Sequence, residues 1–194
     1  MVPPQRNATL SAGALIRSTW LLYFSQPAND RALFKDVKGR TIRSVIEFGV
    51  GDGLRTTRLF EVLSWKQGNL PLRYTGIDLF EARPTSQSGQ TLKQAFATIR
   101  APEVKVQLVP GSPLDALSRC ANSLSETDLI IISADQQAVD LEKAWKFVPR
   151  TLHENSLILR EQPAGGGKTV FQVLPVAEVH RLARESTKST RRAA

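Results

Sequence analysis

The sequence predicts an α/β domain: a doubly wound, mostly parallel sheet with helices on both faces and an antiparallel C-terminal end. Three observations predict it. Short β-branched runs alternate with stretches of helical spacing along most of the chain, the pattern of βαβ units. One run, Asp128 to Ser133, is continuously apolar, as in a strand buried on both faces of a parallel sheet. The last two strand-like runs are joined by little more than Gly165-Gly166-Gly167, too short a link for a crossover helix, so they pair as a hairpin.

The elements follow in order. Thr9 to Phe24 and Pro27 to Val37 read as two helices forming an N-terminal layer over residues 1–40, with Pro27 placed to open the second. Ser44 to Phe48 is the first strand, and Leu54 to Leu63 the helix after it. Gln67-Gly68-Asn69 is a break, and Leu72 to Asp78 is the second strand. Phe80 to Gln90 is polar, carries Pro and Gly, and reads as a loop. Leu92 to Ile99 is a short helix, Val104 to Val109 the third strand, Pro113 to Leu124 a helix, and Asp128 to Ser133 the fourth strand. Val139 to Leu152 reads as one helix, Ser156 to Arg160 and Thr169 to Leu174 as the last strands, and Val176 to Glu185 as the final helix. The core thus spans 43–175, and 187–194 reads as a disordered basic tail.

At 194 residues the chain is long enough for one well-buried domain and short for two. Its 41% hydrophobic and 23% charged content is globular. The apolar run Ala14 to Phe24 is interrupted by Arg17 and falls short of the ~20 residues a spanning helix needs, so no membrane partner is expected. A single cysteine, Cys120, excludes an internal disulfide and a thiolate zinc cluster, and fits a reducing cytoplasm. The net charge of +8 sits at the two ends. Seven basic side chains face Asp30 and Asp36 in residues 1–43, and five face Glu185 in the last fourteen. No aromatics interleave with the terminal basic run, so it reads as solvated surface rather than a nucleic-acid platform.

The segment Val45-Ile-Glu-Phe-Gly-Val-Gly-Asp-Gly53 constrains function most. It is a strand, a glycine turn and the start of a helix, and Gly49, Gly51 and Gly53 let the backbone close on a ligand. The dinucleotide fingerprint Gly-x-Gly-x-x-Gly does not fit, because the third glycine comes one residue early and position 54 is Leu. Glu47 and Asp52 would also repel a pyrophosphate but suit a ligand with a cationic amino group. Glu47 and the x-Gly-x-Gly-x-Gly pattern resemble the first motif of the class I S-adenosylmethionine (SAM)-dependent methyltransferases. The resemblance implies a Rossmann-like fold, SAM as cofactor, and the glycine turn against its methionine end. It covers about residues 43–162 and is strong around 45–53, 74–80 and 127–135. The family normally ends with a helix and an antiparallel pair, so the C-terminal end here is shortened.

On that resemblance, Asp78, 25 residues after Gly53 at the end of the second strand, is the ribose ligand, with Leu79 and Phe80 as adenine contacts. Read by itself, it is a strand-end acid capping a turn. Gly111 and Ser112 fall where many members carry a glycine and an aspartate that contacts the adenine amine, and Ser112 equally suits an N-cap before Pro113. Leu129 to Asp135 resembles the matching strand of the metal-dependent catechol and caffeoyl-type O-methyltransferases. Those enzymes have Asp where Ser133 stands and an Asp-Asn pair where this chain has Arg160-Glu161; Ser133 itself is counted among the expected cofactor-binding residues. A guanidinium among metal ligands opposes a divalent ion, so no metal is expected. Asp135 and Glu161 are the candidate general bases, with helix capping as the plainer role of Asp135.

Other motifs lead away from alternatives. Gly167-Lys168-Thr169 lacks the earlier glycine of a P-loop and precedes a strand. His153 and His180 have no partners suggesting a triad. Asn-Pro-Pro-Tyr, the signature of many base-modifying members of the family, is absent after the fourth strand. The expectation is a metal-independent SAM-dependent methyltransferase, with a small-molecule acceptor favoured over nucleic acid; acceptor and oligomeric state stay open. The alternative is a non-catalytic protein that keeps the fold for binding or scaffolding. An NAD-dependent oxidoreductase is disfavoured by Leu54.

Overall fold

The structure, a computed structural model, describes residues 12–67, 71–84, 89–136 and 138–192. Two helices, α1 (Ala12–Phe24) and α2 (Asp30–Lys38), precede an alternating core. The core runs β1 (Ser44–Phe48), α3 (Leu54–Gln67), β2 (Leu72–Asp78), α4 (Leu92–Ile99), β3 (Val104–Pro110), α5 (Pro113–Cys120) and β4 (Thr127–Ile132). It ends with α6 (Ala138–Ala144), β5 (Leu152–Pro163), β6 (Thr169–Leu174) and α7 (Val176–Arg192). The sheet order is β3-β2-β1-β4-β5-β6. All neighbours are parallel except β5 and β6, which pair antiparallel from Ile158↔Leu174 to Pro163↔Thr169. The sheet is therefore doubly wound, and its topological switch lies between β1 and β4.

Alternation along each strand divides the core between two faces. Val45, Leu129, Ile131, Leu157 and Leu159 face one side, against Leu21, Leu22, Leu33, Phe34 and Val37 of α1 and α2 and Leu59 of α3. Ile46, Phe48, Ile130, Ile132 and Ile158 face the other, against Leu117 of α5, Leu141 of α6 and Val179 of α7. Residues 129–132 are all buried because helices cover both their faces, which is why this strand carries no polar alternation. The N-terminal helices are thus part of the main core.

Local chemistry sets the element ends. Thr91 and Gln94 form a reciprocal capping box at α4, and Ser112 caps α5 ahead of Pro113. Several bounds differ from the sequence expectation. The helix predicted over Val139 to Leu152 stops at Ala144, because Pro149 cannot continue it and sits in a 3-10 turn over Val148–Thr151. Leu152 already belongs to β5, which is longer than predicted because the hairpin pairing extends it to Pro163. His153 therefore lies in β5 rather than at a helix end, its Nε2 3.1 Å from Asp128 Oδ1. α5 ends at Cys120, and a 3-10 turn follows over Ala121–Ser123. α2 opens at Asp30, with Pro27 in the turn before it. α7 runs on to Arg192, through most of the stretch expected to be a disordered tail. The predicted start of α1 at 9–11, the break at 68–69, part of the loop at 85–88 and the tail end at 193–194 lie outside the described residues.

Phe34 is fully buried in α2. Phe34→Ala is expected to lower unfolding free energy by about 3–5 kcal/mol, the usual range for an aromatic truncated in a core. Urea denaturation checks this, and a loss below about 1 kcal/mol would mean that the N-terminal layer is not part of the cooperative unit.

Candidate functional site

The site begins at the turn between β1 and α3, at the carboxyl edge of the sheet beside the switch point, where ligands bind in this architecture. Gly49, Gly51 and Gly53 have φ of 88°, 60° and 73°, a region that side-chain-bearing residues avoid. At Gly49 space is also lacking: a Cβ would lie 2.7 Å from Ser133 Cβ and 2.8 Å from Asp135 Oδ1. At Gly51 a Cβ would meet nothing within 4 Å, because this part of the turn faces open space. Asp78, at the end of β2, holds the turn in shape. Its Oδ2 accepts from Val50 N at 2.8 Å and Gly51 N at 3.0 Å, so two backbone donors that β pairing leaves free are satisfied by one carboxylate oxygen. Its Oδ1 accepts from Leu79 N at 2.7 Å and from Arg83 Nη2 at 2.5 Å.

Two cavities flank the turn. The larger, about 360 Å³, is lined by Gly49, Gly51, Asp52, Arg55, Asp135 and Glu161 among others. The smaller, about 30 Å³, lies between Asp78, Leu79, Arg83, Ser112, Asp135 and Gln136. Asp135 borders both. Of the sequence-predicted residues, Gly49, Gly51, Asp52, Ser133, Asp135 and Glu161 come together at the first cavity, and Asp78, Leu79, Ser112 and Asp135 at the second. Ser112 also keeps its capping role, accepting from Asp115 N. Gly53 supports the turn from behind, close to Ile99. Gly111 donates its N–H to Asp78 O. Phe80 is buried with Val50 and Ala95, so its ring supports the turn from inside and does not line either cavity.

Glu47 is also not brought to either cavity. Strand alternation turns it under α3, fully buried, where Oε2 accepts from Thr56 Oγ1 and Tyr74 Oη, both at 2.7 Å. Its Oε1 has no hydrogen-bond partner among the described residues. Burial pushes the Glu47 carboxyl above its ordinary range, with nearby Arg55 and the two hydroxyls acting against the rise. Burial and the same carboxylate push the Tyr74 hydroxyl well above its usual value.

Arg55, in the first turn of α3, organises the rim of the larger cavity. Its Nε donates to Asp30 Oδ1 at 2.9 Å, Nη1 to Ser133 Oγ at 2.8 Å, and Nη2 to Glu161 Oε2 at 2.9 Å. The guanidinium also lies 5.3 Å from the centre of the Phe171 ring. Burial works against its charge, but Glu47, Asp30 and Glu161 outweigh that and hold its pKa above the ordinary value. Asp30 shifts upward, because burial exceeds the help it receives from Arg55. Ser133 Oγ donates a hydrogen bond to Gly49 O at 3.0 Å, joining the network to the glycine turn. Glu161 further accepts from Asn29 Nδ2, from Thr169 Oγ1 at 2.5 Å and from Ala134 N at 3.3 Å. Both oxygens of Glu161 are thus engaged. Asp135 is exposed and, among the described residues, accepts a single side-chain bond, from Gln136, leaving it the freer of the two candidate bases.

The guanidinium facing Ser133 and Glu161 is Arg55, not Arg160. Alternation puts Leu159 and Glu161 on the α3 side of the sheet, and Ile158 and Arg160 on the other. Asp30, Arg55 and Arg83 carry the electrostatics of the site, and the sequence reading did not single them out. Arg55 had one usable signal: the first turn after a glycine loop lies at the ligand edge of such a sheet. Asp30 had none, because its partner is distant in sequence.

No protein-family model matches the chain, and no curated protein matches it. Solved structures do. An O-methyltransferase from Bacillus cereus in complex with SAH aligns over 92% of this chain and 80% of its own, at 14% identity and a TM-score of 0.53. The O-methyltransferase TomG of Streptomyces achromogenes, involved in tomaymycin synthesis and in complex with SAM, aligns over 91% of this chain and 76% of its own, at 15% identity and a TM-score of 0.51. An O-methyltransferase family protein of Burkholderia thailandensis aligns over 90% of this chain and 54% of its own, at 14% identity and a TM-score of 0.50. Two further matches, from Staphylococcus aureus and Plasmodium falciparum, are spanned over 66% and 65% of their length, just under two thirds. The fold is the Rossmann-like fold of the class I methyltransferases.

Arg55→Met is expected to destabilise the fold by roughly 3–5 kcal/mol in urea denaturation, because Asp30 and Glu161 stay buried without their counter-charge. A change below about 1 kcal/mol would show that the network contributes little. The raised pKa of Glu47 has the opposite sign from a paired carboxylate. Its stabilising contribution is complete below the ordinary value of 4.5 and is lost as pH rises through the raised value. Glu47→Gln is therefore expected to gain in thermal midpoint over the wild type as pH rises from about 4 to about 8. A difference that stays flat across that range would contradict the burial cost.

Proposed function

We propose that the chain is a SAM-dependent methyltransferase that works without a metal on a small-molecule acceptor. The observation that carries this is the joining of Asp78 to the glycine turn at the switch point of the sheet. A carboxylate and a backbone without side chains stand side by side where this fold binds its ligand. The neighbours in complex with SAM or SAH support the choice of cofactor, and the O-methyltransferases among them support a small acceptor. When bound, SAM supplies an already activated methyl group, so the protein's task is mainly positioning.

The residues divide that task. Gly49 and Gly51 let the backbone approach the cofactor's methionine end, and Asp52 offers a carboxylate to its amino group. Asp78 takes the ribose hydroxyls, with Leu79 and Ser112 toward the adenine. Arg55 fills the space between Asp30, Ser133 and Glu161 that a divalent ion would need, which supports the metal-independent reading. Asp135 is the one candidate base not saturated by donors. No helix among the described residues is long and apolar enough to cross a membrane. The free Cys120 supports a cytoplasmic location. The saturation of Glu161 favours one second reading, a protein that binds the cofactor without transferring its methyl group.

SAM and SAH are expected to bind with micromolar or tighter affinity in calorimetry, about −8 kcal/mol at 1 μM. Absence of heat with both at high protein concentration would overturn the reading. Asp78→Ala is expected to weaken binding about tenfold or more while the chain stays folded, and an unchanged affinity would remove the ribose role.

A further inference from the structure

We propose that Arg83 is a built-in competitor for the ribose site, so that cofactor affinity is set by an exchange in which ribose replaces the guanidinium on Asp78. The inference rests on the cofactor reading above and adds Arg83 and Gly89, which that reading does not use. Asp78 Oδ2 is committed to the glycine turn, and Oδ1, which also accepts from Leu79 N, is the oxygen left for a ligand. Arg83 Nη2 already holds that oxygen at 2.5 Å, and the side chains of the pair are only 7% and 4% exposed. The space beside them agrees. The cavity between Asp78, Leu79, Arg83 and Ser112 measures about 30 Å³. That is too little for a nucleoside. The cavity across the turn, at about 360 Å³, is open. The methionine half of the site is therefore preformed and the adenosine half is filled by a side chain.

Arg83 follows the short 3-10 turn Phe80–Ala82, and its guanidinium lies against Gly89, where an added Cβ would fall 1.3 Å from Nη1. The ion pair lowers the fraction of molecules ready to bind, and apparent affinity falls by that fraction. Asp78 gains a buried counter-charge while no ligand is present, so the carboxylate is not left unpaired.

Two variants test this from different directions. Arg83→Met removes the charge and keeps an apolar stem. Gly89→Ala leaves Arg83 and Asp78 intact and pushes the guanidinium off its seat, its new Cβ falling closest to the end of that flexible side chain. Full-length wild type and both variants are titrated with SAH by calorimetry, with thermal unfolding as a check on folding. Both variants are expected to bind about tenfold more tightly than the wild type, as removal of a competing state requires. Equal or weaker binding by Gly89→Ala, or by a folded Arg83→Met, with the wild type binding, overturns the competitor and leaves the cofactor reading standing. If Arg83→Met does not fold, Gly89→Ala decides alone. No binding by any of the three overturns both.

Discussion

One guanidinium sets the shape of the site. Arg55 draws together α2 through Asp30, the end of β4 through Ser133 and the end of β5 through Glu161, and its face meets Phe171 of β6. These segments lie far apart in sequence, and apolar packing alone would leave their polar ends free to seek water. Burial makes each carboxylate costly by itself, and the shared cation makes the group tolerable. The rim of the larger cavity is therefore held by charge, while the sheet below it is held by packing.

Beside it, Asp78 performs a second fastening of a different kind. A strand that ends in a glycine turn leaves backbone N–H groups without partners, and one oxygen of Asp78 takes two of them. The turn is thus ordered before any ligand arrives, and less ordering entropy remains to be lost on binding. The same carboxylate also carries Arg83, so the residue that organises the turn also governs access to the space beside it. Ser133 connects the two fastenings, accepting from Arg55 and donating to Gly49 O.

The C-terminal end completes the sheet with little chain. β6 returns antiparallel beside β5, and Thr169 at its start bonds Glu161, so the hairpin reaches back into the charged rim. α7 packs through Val179 against the face of the sheet opposite α3. The residues that border the cavities come from the N-terminal layer, from the end of β2, from the segments that follow β1, β2, β3 and β4, and from β5.

Patterns that repeat over short distances were legible in the sequence: the βαβ alternation, the buried run of β4, the glycine turn and the hairpin at Gly165-Gly166-Gly167. Each depends on residues within one or two turns of each other, so spacing reveals them. The placement of Asp78 at the end of β2, next to the turn, was legible because parallel β1 and β2 must end together. The direction of Glu47 away from the cavities, the burial of Phe80, the choice of Arg55 rather than Arg160 as the cation, and the occupation of Asp78 by Arg83 were decided only in three dimensions. A side chain's partner across the sheet depends on register and on which face alternation assigns it. Those follow from the packing of the whole domain, and no local run of residues encodes them.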